Sequence, residues 1–342
     1  MTATGLSRVP LSLTPLNRKD FVSDQEVRWC PGCGDYAVLA AFQSLMPGLG
    51  IRKENTVIVS GIGCSSRFPY YLDTYGVHSI HGRAPAIATG IALTRPDLSV
   101  WVVTGDGDAL SIGGNHLIHA LRRNVNITIM LFNNRIYGLT KGQYSPTSEH
   151  GKVTKSTPAG SVDTPFNPVQ LALGAGATFV ARTIDSDRRH LTEVLTAAVN
   201  HRGASLVEIY QNCPIFNDDA FAELKEPDAP GVIGLRQGEP VVFAGGTRAV
   251  VRDAAGALTV VPAADADPSS QVVHDAHAAE PAQAFSLAGL TDSGVLHTAP
   301  VGIFRSVEQP TYDDEARGQL SVPDDRMAAL ASVLHGPDTW TV

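Results

Sequence analysis

The stretch LSVWVVTGDGDAL, residues 98–110, joins an apolar run to a glycine turn and to the start of a helical pattern. A short apolar run that ends in turn residues indicates a buried strand, and apolar residues at Leu110, Leu117 and Leu121 indicate a helix. A strand, glycine turn and helix in this order point free backbone N–H groups and a helix dipole at phosphate. The stretch therefore predicts a phosphate site at one edge of an α/β sheet.

A carboxylate within this turn, Asp106, would repel phosphate unless a cation lay between them. Mg²⁺ resolves the conflict because it accepts carboxylate, amide and phosphate oxygens together. Asn134 lies 28 positions after Asp106, at the end of the next apolar run, residues 127–132. If the two strands are neighbours, both side chains reach the carboxyl edge of one parallel sheet, where α/β ligands bind. The alternative is an ordinary turn in which Gly and Asp serve only the backbone, but the paired Asn favours the metal site.

Four cysteines form the second group of candidate ligands. Cys30 and Cys33 make a Cys-x2-Cys pair in a Pro/Gly loop, whereas Cys64 and Cys213 each follow a predicted strand. Four thiolates suit zinc or a [4Fe–4S] cluster, and the scattered third and fourth cysteines favour the cluster over a compact zinc site. A thioredoxin-like redox pair would leave two cysteines unexplained. Four unrelated buried thiols remain a further alternative.

Several basic side chains and one histidine lie beside these turns. His81 could donate a hydrogen bond to phosphate. Arg135 and Lys141 flank the turn at residues 138–139, and Arg67 follows Cys64 closely. Each of these cations could pair with a substrate carboxylate, and a solvated surface position is an equally good explanation for each taken alone.

Composition limits the class of protein. The chain has 342 residues, of which 43% are hydrophobic and 18% charged, as in ordinary globular proteins. Its formal charge of −8 argues against nonspecific nucleic-acid binding. No apolar stretch approaches the ~20 residues that span a bilayer, and the N-terminus lacks the apolar core of a signal peptide. We therefore expect a cytoplasmic protein that binds neither membrane nor nucleic acid.

Alternating strand and helix patterns predict a parallel sheet covered by helices on both faces. We expect an N-terminal arm at residues 1–20, an α/β domain at residues 21–230 and a partly irregular C-terminal extension at residues 231–342. Four further segments have weaker patterns. We expect an irregular connection at residues 68–84, a mobile lid or docking loop at 148–166, a weakly ordered stretch at 262–283 and a tail that includes 301–305.

The motifs in combination resemble those of a known enzyme family, the 2-oxoacid:ferredoxin oxidoreductase β subunits. The Gly-Asp-Gly turn with its distant Asn pair resembles the thiamine diphosphate and Mg²⁺ motif of thiamine-dependent enzymes. The sequence at residues 81–84 and 105–116 is most similar to that of the 2-oxoglutarate:ferredoxin oxidoreductase (2-oxoglutarate synthase) β subunit. The resemblance covers roughly residues 20–235. Its motifs lie at residues 29–34 (WCPGCG), 61–65 (GIGCS), 105–107 (GDG), 133–134 (NN) and 213–214 (CP).

The resemblance implies a thiamine-diphosphate-binding fold and a role for each matching residue. Lys141 would meet the carboxylate of the 2-oxoacid, with Arg67 assisting. The [4Fe–4S] ligands would be Cys30, Cys33, Cys64 and Cys213. The Mg²⁺ ligands would be Asp106, the side chain of Asn134 and the carbonyl of Ile136. The residues lining thiamine diphosphate would be Ile62, Gly63, Cys64, Ser65, His81, Gly107, Asp108, Gly138 and Leu139.

The resemblance also implies the reaction and the partners. The family decarboxylates a 2-oxoacid oxidatively, transfers the acyl group to coenzyme A and passes electrons through the cluster to ferredoxin, reversibly. With 2-oxoglutarate the products are succinyl-CoA and CO2. The sequence contains only the diphosphate half of a thiamine site, so an α subunit would supply the other half in an α2β2 heterotetramer, and the chain would be inactive alone. The alternatives are the same chemistry on pyruvate or another 2-oxoacid, and a non-catalytic, zinc-stabilised binding subunit.

Overall fold

A mixed, mostly parallel sheet of eight strands lies at the centre of the computed structural model, which describes residues 4–226, 229–321 and 323–340. The strands are β1 (Thr56–Ser60), β2 (Tyr75–His78), β3 (Ser99–Gly105), β4 (Thr128–Asn133), β5 (Ile136–Tyr137), β6 (Gln143–Tyr144), β7 (Phe179–Ile184), β8 (Ser205–Tyr210), β9 (Val232–Leu235), β10 (Val242–Phe243), β11 (Arg248–Arg252), β12 (Leu258–Pro262) and β13 (Ala299–Ser306).

The strand order in the large sheet is β2-β1-β3-β4-β8-β7-β13-β9. The first six strands are parallel, whereas β13 runs antiparallel to β7 and parallel to β9. The remaining strands form an antiparallel sheet, β10-β11-β12, and a small hairpin, β5-β6. The predicted α/β fold with a parallel sheet is confirmed, with the difference that its last two strands are reversed.

Helices cover both faces of the sheet, as predicted. The helices are α1 (Asp35–Leu49), α2 (Ala84–Thr94), α3 (Asp106–Leu110), α4 (Gly114–Arg122), α5 (Pro168–Gly174), α6 (Arg188–Asn200), α7 (Ala282–Ala288), α8 (Tyr312–Gly318) and α9 (Arg326–His335). Short 3-10 turns lie at Arg18–Phe21, Lys53–Asn55, Ser65–Tyr71, Ala222–Leu224 and Ala263–Asp265.

The two larger hydrophobic cores follow from the alternation of side chains along each strand. In β4, Ile129 and Leu131 belong to one core, with residues of α2, α4, α5 and α7. Met130 and Phe132 belong to the other core, with residues of α1 and α6. Because successive side chains of a strand point to opposite faces, a strand that is covered on both sides is apolar throughout. This arrangement leaves the strand ends, rather than the faces, free to form a site.

The C-terminal extension contributes two strands, β9 and β13, to the large sheet. The expectation that residues 301–305 form a tail is therefore wrong. Phe304 is fully buried, and the register against β7 shifts between Ile303 and Arg305. A bulge of this kind adds a residue and breaks the period-two alternation that identifies a strand. The irregularity explains why the sequence pattern did not predict β13.

Two other expectations also need correction. Residues 75–78, expected to be irregular, form the edge strand β2, which is mostly exposed and so lacks an apolar pattern. Within residues 262–283, expected to be weakly ordered, Val272 and His274 are buried. The Nε2–H of His274 donates to the carbonyl of Ile303 at 2.7 Å. Long-range contacts of this kind order a segment whose composition alone predicts disorder.

The N-terminal segment lies on the domain surface in the part that the structure describes. The backbone N–H of Gly5 donates to the carbonyl of Asn200 at 2.9 Å, and Leu11 pairs with Ile51 in an isolated bridge. Among the described helices, none is both long and apolar enough to cross a membrane.

Candidate functional site

The carboxyl ends of β1, β3, β4 and β8 open onto one cleft of about 490 Å³. Parallel strands bring their carboxyl ends to the same edge of a sheet, so turns that are distant in sequence meet there. The cleft is lined by the turn after β1, by the GDGD turn (residues 105–108) after β3, by the loop after β4 and by Gln211 after β8. Among its lining residues are Ile62, Gly63, Cys64, Ser65, His81, Asp106, Gly107, Asp108, Asn134, Ile136, Gly138 and Leu139.

Asp106 lies at the first position of α3 and is almost completely buried. Its Oδ2 accepts hydrogen bonds from Ser145 Oγ and Thr147 Oγ1, each at 2.5 Å. Burial raises the pKa of Asp106 from 3.8 to about 6, although these two hydroxyls act in the opposite direction. A divalent cation would favour the ionised form that burial disfavours. The environment of Asp106 therefore fits a metal ligand.

Asn134 supplies the amide on the neighbouring strand end. Its Nδ2 donates to Gln211 Oε1 at 3.0 Å, and its Oδ1 accepts from the backbone N–H of Ile136 at 3.2 Å. A carbonyl oxygen has two acceptor positions, so Oδ1 can also coordinate a cation. Asp106, Asn134 and Ile136 all line the cleft, and carboxylate, amide and carbonyl oxygens are the donors that Mg²⁺ accepts. The residues present thus fit the predicted Mg²⁺ site, and their assignment as ligands stays a prediction.

The side chain of Asp108 holds the walls of the cleft together. Its Oδ1 accepts hydrogen bonds from the backbone N–H groups of Ile62 at 3.1 Å and Gly82 at 2.7 Å. The same oxygen accepts from His81 Nδ1 at 2.5 Å, and Oδ2 accepts from Thr104 Oγ1 at 2.6 Å. These four donors belong to the protein, so the carboxylate joins the turns after β1, β2 and β3. The contact of Asp108 with the cofactor stays a prediction.

Gly107 is required by the close packing of Tyr137. A Cβ atom on Gly107 would lie 2.1 Å from Tyr137 Cε1. The hydroxyl of Tyr137 donates to the carbonyl of Gly107 at 3.0 Å. The aromatic ring therefore lies directly against the GDGD turn. The sequence analysis did not assign Tyr137 to the site, since an aromatic residue after a strand is more often a core residue.

The thiols of Cys64 and Cys213 converge beside the same cleft. A Cβ atom on Gly138 would lie 3.5 Å from Cys64 Sγ and 3.8 Å from Cys213 Sγ. Cys33 Sγ accepts a hydrogen bond from Gln211 Nε2 at 3.3 Å. All four cysteines are free thiols, with Cys30 exposed and Cys213 buried.

Burial raises the pKa of Cys33, and the nearby acidic groups of Asp35, Cys213 and Cys64 raise it further. Burial likewise raises the pKa of Cys64 to about 11, with Asp35 and Cys213 adding to the effect. The thiolate forms are thus disfavoured in the protein alone, and a bound metal centre would stabilise them.

The spacing of these groups bears on the choice between zinc and a cluster. Within residues 4–226, 229–321 and 323–340, no three His, Cys, Asp or Glu side chains meet closely enough to hold one metal ion. A zinc ion needs four ligands at about 2.0–2.3 Å from one atom. In a [4Fe–4S] cluster each iron takes its own thiolate, so the four sulfurs need not meet at one point. The sulfurs of Cys64 and Cys213 converge beside Gly138, which fits a shared metal centre, and the choice of a [4Fe–4S] cluster over zinc stays a prediction.

The two cations predicted for substrate binding do not line this cleft. Lys141 is exposed, has a φ of 84° and donates its backbone N–H to the carbonyl of Gly138 at 3.1 Å. The guanidinium of Arg67 donates to the carbonyl of Arg28 at 3.1 Å. Both residues follow turns that do line the cleft, and their role with substrate stays a prediction.

The sequence did not point to four functional candidates. Two of them are Ser145 and Thr147, which donate hydrogen bonds to Asp106. The other two are Tyr137 and Gln211. The Ser-Pro-Thr-Ser run at residues 145–148 carried a signal, because three hydroxyls follow the Asn pair within 14 residues. Gln211 carried none, since a glutamine after a strand is ordinarily a surface residue.

Comparison with known proteins identifies a family model and relatives of this chain. Residues 61–209 match the family Thiamine pyrophosphate enzyme, C-terminal TPP binding domain. The chain is 64% identical over 340 residues to 2-oxoglutarate oxidoreductase subunit KorB of Mycobacterium tuberculosis, with 98% of this chain and 91% of that protein covered. It is 48% identical over 202 residues to 2-oxoglutarate synthase subunit KorB of Archaeoglobus fulgidus, with 58% of this chain and 75% of that protein covered.

A solved structure extends the similarity to almost the whole fold. It is the 2-oxoglutarate:ferredoxin oxidoreductase from Magnetococcus marinus with 2-oxoglutarate, coenzyme A and succinyl-CoA bound. The TM-score is 0.71 at 34% sequence identity, and the match covers 94% of this chain and 97% of that chain.

Proposed function

This chain belongs to the family of 2-oxoacid:ferredoxin oxidoreductase β subunits, and we propose that it is the thiamine-dependent catalytic β subunit of a 2-oxoglutarate:ferredoxin oxidoreductase. The reaction would be the oxidative decarboxylation of 2-oxoglutarate with coenzyme A to succinyl-CoA and CO2. Electrons would pass through a [4Fe–4S] cluster to ferredoxin, and the reaction would be reversible.

One observation carries the proposal. Gly138 lines the same cleft as Asp106, and two cysteine sulfurs, those of Cys64 and Cys213, lie within 3.8 Å of the position of a Cβ on Gly138. The candidate metal-ion oxygens and the candidate cluster sulfurs therefore border one cavity. An enzyme that oxidises a cofactor-bound substrate by single electrons needs this proximity. Neither a simple decarboxylase nor a zinc-stabilised binding subunit needs it.

At the diphosphate end, the protein holds a cation against phosphate. Asp106, Asn134 and the carbonyl of Ile136 would coordinate Mg²⁺, and Ser145 and Thr147 would orient the Asp106 carboxylate. Thiamine diphosphate, when bound, supplies the nucleophilic carbon and the electron sink that decarboxylation of a 2-oxoacid requires.

His81 has one ring nitrogen fixed by the protein. Its Nδ1–H donates to the buried carboxylate of Asp108. That contact leaves Nε2 as the ring nitrogen for a ligand in the cleft, in the manner of carboxylate–histidine pairs elsewhere. We therefore assign His81 to bind the cofactor and Asp108 to position His81.

At the cysteine end, Cys30, Cys33, Cys64 and Cys213 would each bind one iron. A [4Fe–4S] cluster, when bound, supplies one-electron transfer. Cys30 is exposed, so the cluster would lie near the protein surface on that side. This position supports direct access for a small electron carrier such as ferredoxin.

The substrate and the partner subunit follow from the relatives. The Magnetococcus marinus enzyme has 2-oxoglutarate, coenzyme A and succinyl-CoA bound, and the Mycobacterium tuberculosis relative is a 2-oxoglutarate oxidoreductase subunit. We assign 2-oxoglutarate to this chain, with Lys141 and Arg67 meeting its carboxylates in the complete enzyme. An α subunit would complete the thiamine site in an α2β2 complex. The same chemistry on pyruvate is the alternative.

The test is anaerobic co-purification of the chain with its α subunit. We expect a brown protein with about four iron atoms per β chain, and turnover that requires thiamine diphosphate and favours 2-oxoglutarate over pyruvate. A preference for pyruvate would overturn the substrate assignment. A colourless protein with one zinc per chain would overturn the redox function.

A further inference from the structure

Gln211 lies between the two candidate metal sites and contacts both. It is the first residue after β8, its side chain is almost completely buried, and it lines the cleft. Its backbone N–H donates to the carbonyl of Asn133 at 2.9 Å, which fixes the residue beside the end of β4. The sequence gives no hint of this position, because the contact joins strand ends that are 77 residues apart.

The orientation of the Gln211 amide is determined by its neighbours. Its Nε2 donates to the carbonyl of Asn212 at 2.5 Å and to Cys33 Sγ at 3.3 Å, and its Oε1 accepts from Asn134 Nδ2 at 3.0 Å. A backbone carbonyl can only accept, so the reversed amide would place two acceptors against each other. The amide nitrogen thus has two acceptors and the amide oxygen has one donor, which fixes the amide in one orientation.

This orientation has a consequence for each site. Because Gln211 takes the Nδ2–H of Asn134, the Oδ1 of Asn134 is the atom left for a cation. Because the other end of Gln211 donates to Cys33 Sγ, it stabilises negative charge on that sulfur. Hydrogen bonds to cysteine sulfurs favour the reduced form of an iron–sulfur cluster, since reduction adds negative charge.

We propose that Gln211 is a positioning residue shared by the two sites, which orients Asn134 for Mg²⁺ and raises the reduction potential of the cluster through Cys33. The inference rests on the proposed function. One uncharged side chain would then align the diphosphate end of the cofactor with the electron acceptor.

The experiment compares Gln211→Leu and Gln211→Glu in the anaerobic αβ complex. Gln211→Leu removes both contacts. We expect Mg²⁺-dependent binding of thiamine diphosphate to weaken by about 10-fold or more, as for other residues that orient a metal ligand. We also expect the potential in an EPR-monitored titration to become more negative. Gln211→Glu keeps an acceptor for Asn134 but not the amide donor to Cys33. The added carboxylate also faces the carbonyl of Asn212, so the potential should become more negative, whereas Mg²⁺-dependent binding of thiamine diphosphate should fall less than in Gln211→Leu because the acceptor for Asn134 is kept.

The matched control is Gln43→Leu, which removes another buried glutamine. Gln43 bonds the carbonyl of Tyr71 and the side chain of Arg18, and it lies outside the cleft. This variant should change neither the Mg²⁺-dependent binding of thiamine diphosphate nor the reduction potential of the cluster.

Failure of the inference and failure of the proposed function are distinguishable. A wild-type complex without iron would overturn the function. The shared role of Gln211 would be overturned if the wild-type complex contained iron and thiamine diphosphate but Gln211→Leu changed only one of the two measured quantities, or neither. These quantities are the Mg²⁺-dependent binding of thiamine diphosphate and the reduction potential.

Discussion

Asp108, on the GDGD side of the cleft, accepts four hydrogen bonds from protein groups, whereas Cys33, on the cysteine side, accepts one, from Gln211. The GDGD side is thus ordered by the protein's own contacts before any ligand binds. On the cysteine side burial raises the pKa of Cys33 and Cys64, so the thiolates need a bound metal centre to form. A single cavity can therefore combine a preorganised half with a half that a bound cofactor would complete.

The largest effect should come from Cys64→Ser, which separates the two sides. Loss of one of four thiolates should remove nearly all iron, because the cysteine side has few other contacts to hold the cluster. The GDGD side should persist, so the variant should still bind thiamine diphosphate. Iron analysis and cofactor titration of the αβ complex measure both effects. Unchanged iron content would show that Cys64 is not a ligand.

The stability of the metal-free protein should depend on pH through Asp106, because burial disfavours its ionised carboxylate. Its pKa is about 6 in the folded protein and 3.8 ordinarily, so the folded state binds the proton more tightly than the unfolded state. Its contribution to stability is fully present below pH 3.8 and is lost as pH rises through 6. The difference between the two pKa values corresponds to about 3 kcal/mol of unfolding free energy, which is lost at pH 8.

Urea unfolding of the metal-free chain at pH 5 and pH 8 measures the part of this loss that falls between the two pH values, about 1.4 kcal/mol, with Asp106→Asn as the matched variant. The variant cannot ionise, so it should lose less stability between the two pH values than the wild type. Equal losses would contradict a raised pKa for Asp106. In the wild type, Mg²⁺ with thiamine diphosphate should restore more stability at pH 8 than at pH 5.

Asp108→Asn should weaken the GDGD side without affecting the cysteine side. An amide is close in shape to the carboxylate but cannot accept at both ends, so at least one of the four donors loses its partner. We expect thiamine diphosphate affinity to fall by about 10- to 100-fold, with iron content unchanged. Cofactor titration and iron analysis on the same preparation provide the two values. A parallel loss of iron would show that the two sides are not independently ordered.

The same contrast explains how much the sequence could predict. The sequence predicts Asp106, Asn134 and the four cysteines as site residues because each lies at the end of an apolar run or within a short motif, and the structure brings Asp106, Asn134 and Cys64 to one cleft. Parallel strands bring such ends to one edge whatever the details of packing. The local strand and helix patterns likewise predicted the central sheet, since strands that are buried on both faces are apolar throughout.

Contacts between distant segments could not be predicted. Ser145 and Thr147 bond Asp106 from a loop about 40 residues away, and nothing local specifies the path of that loop. Lys141 and Arg67 were selected by charge, which does not determine the direction of a flexible side chain, and the structure leaves both outside the cleft wall. The strands β2 and β13 were missed because exposure in one and a bulge in the other removed the apolar alternation.

The smallest effect should come from Gly107→Ala, which tests the packing of the GDGD side. The new Cβ would lie 2.1 Å from Tyr137 Cε1, so the ring must move and its hydrogen bond to the Gly107 carbonyl must break. Overpacking of this kind costs about 1–3 kcal/mol. Gly114→Ala is the matched control, because its Cβ would meet no atom within 4 Å.

Unfolding midpoints of the two variants measure the effect on stability. Thiamine diphosphate titrations of Gly107→Ala and of Gly107→Ala/Tyr137→Ala measure the effect on cofactor binding. The double variant provides space for the new methyl group, so it should bind thiamine diphosphate more tightly than the single variant although it lacks the Tyr137 hydroxyl. If the single variant were as stable as Gly114→Ala, the ring could adapt freely. The GDGD side would then be no more rigidly ordered than the cysteine side, and the contrast between them would rest on hydrogen bonding alone.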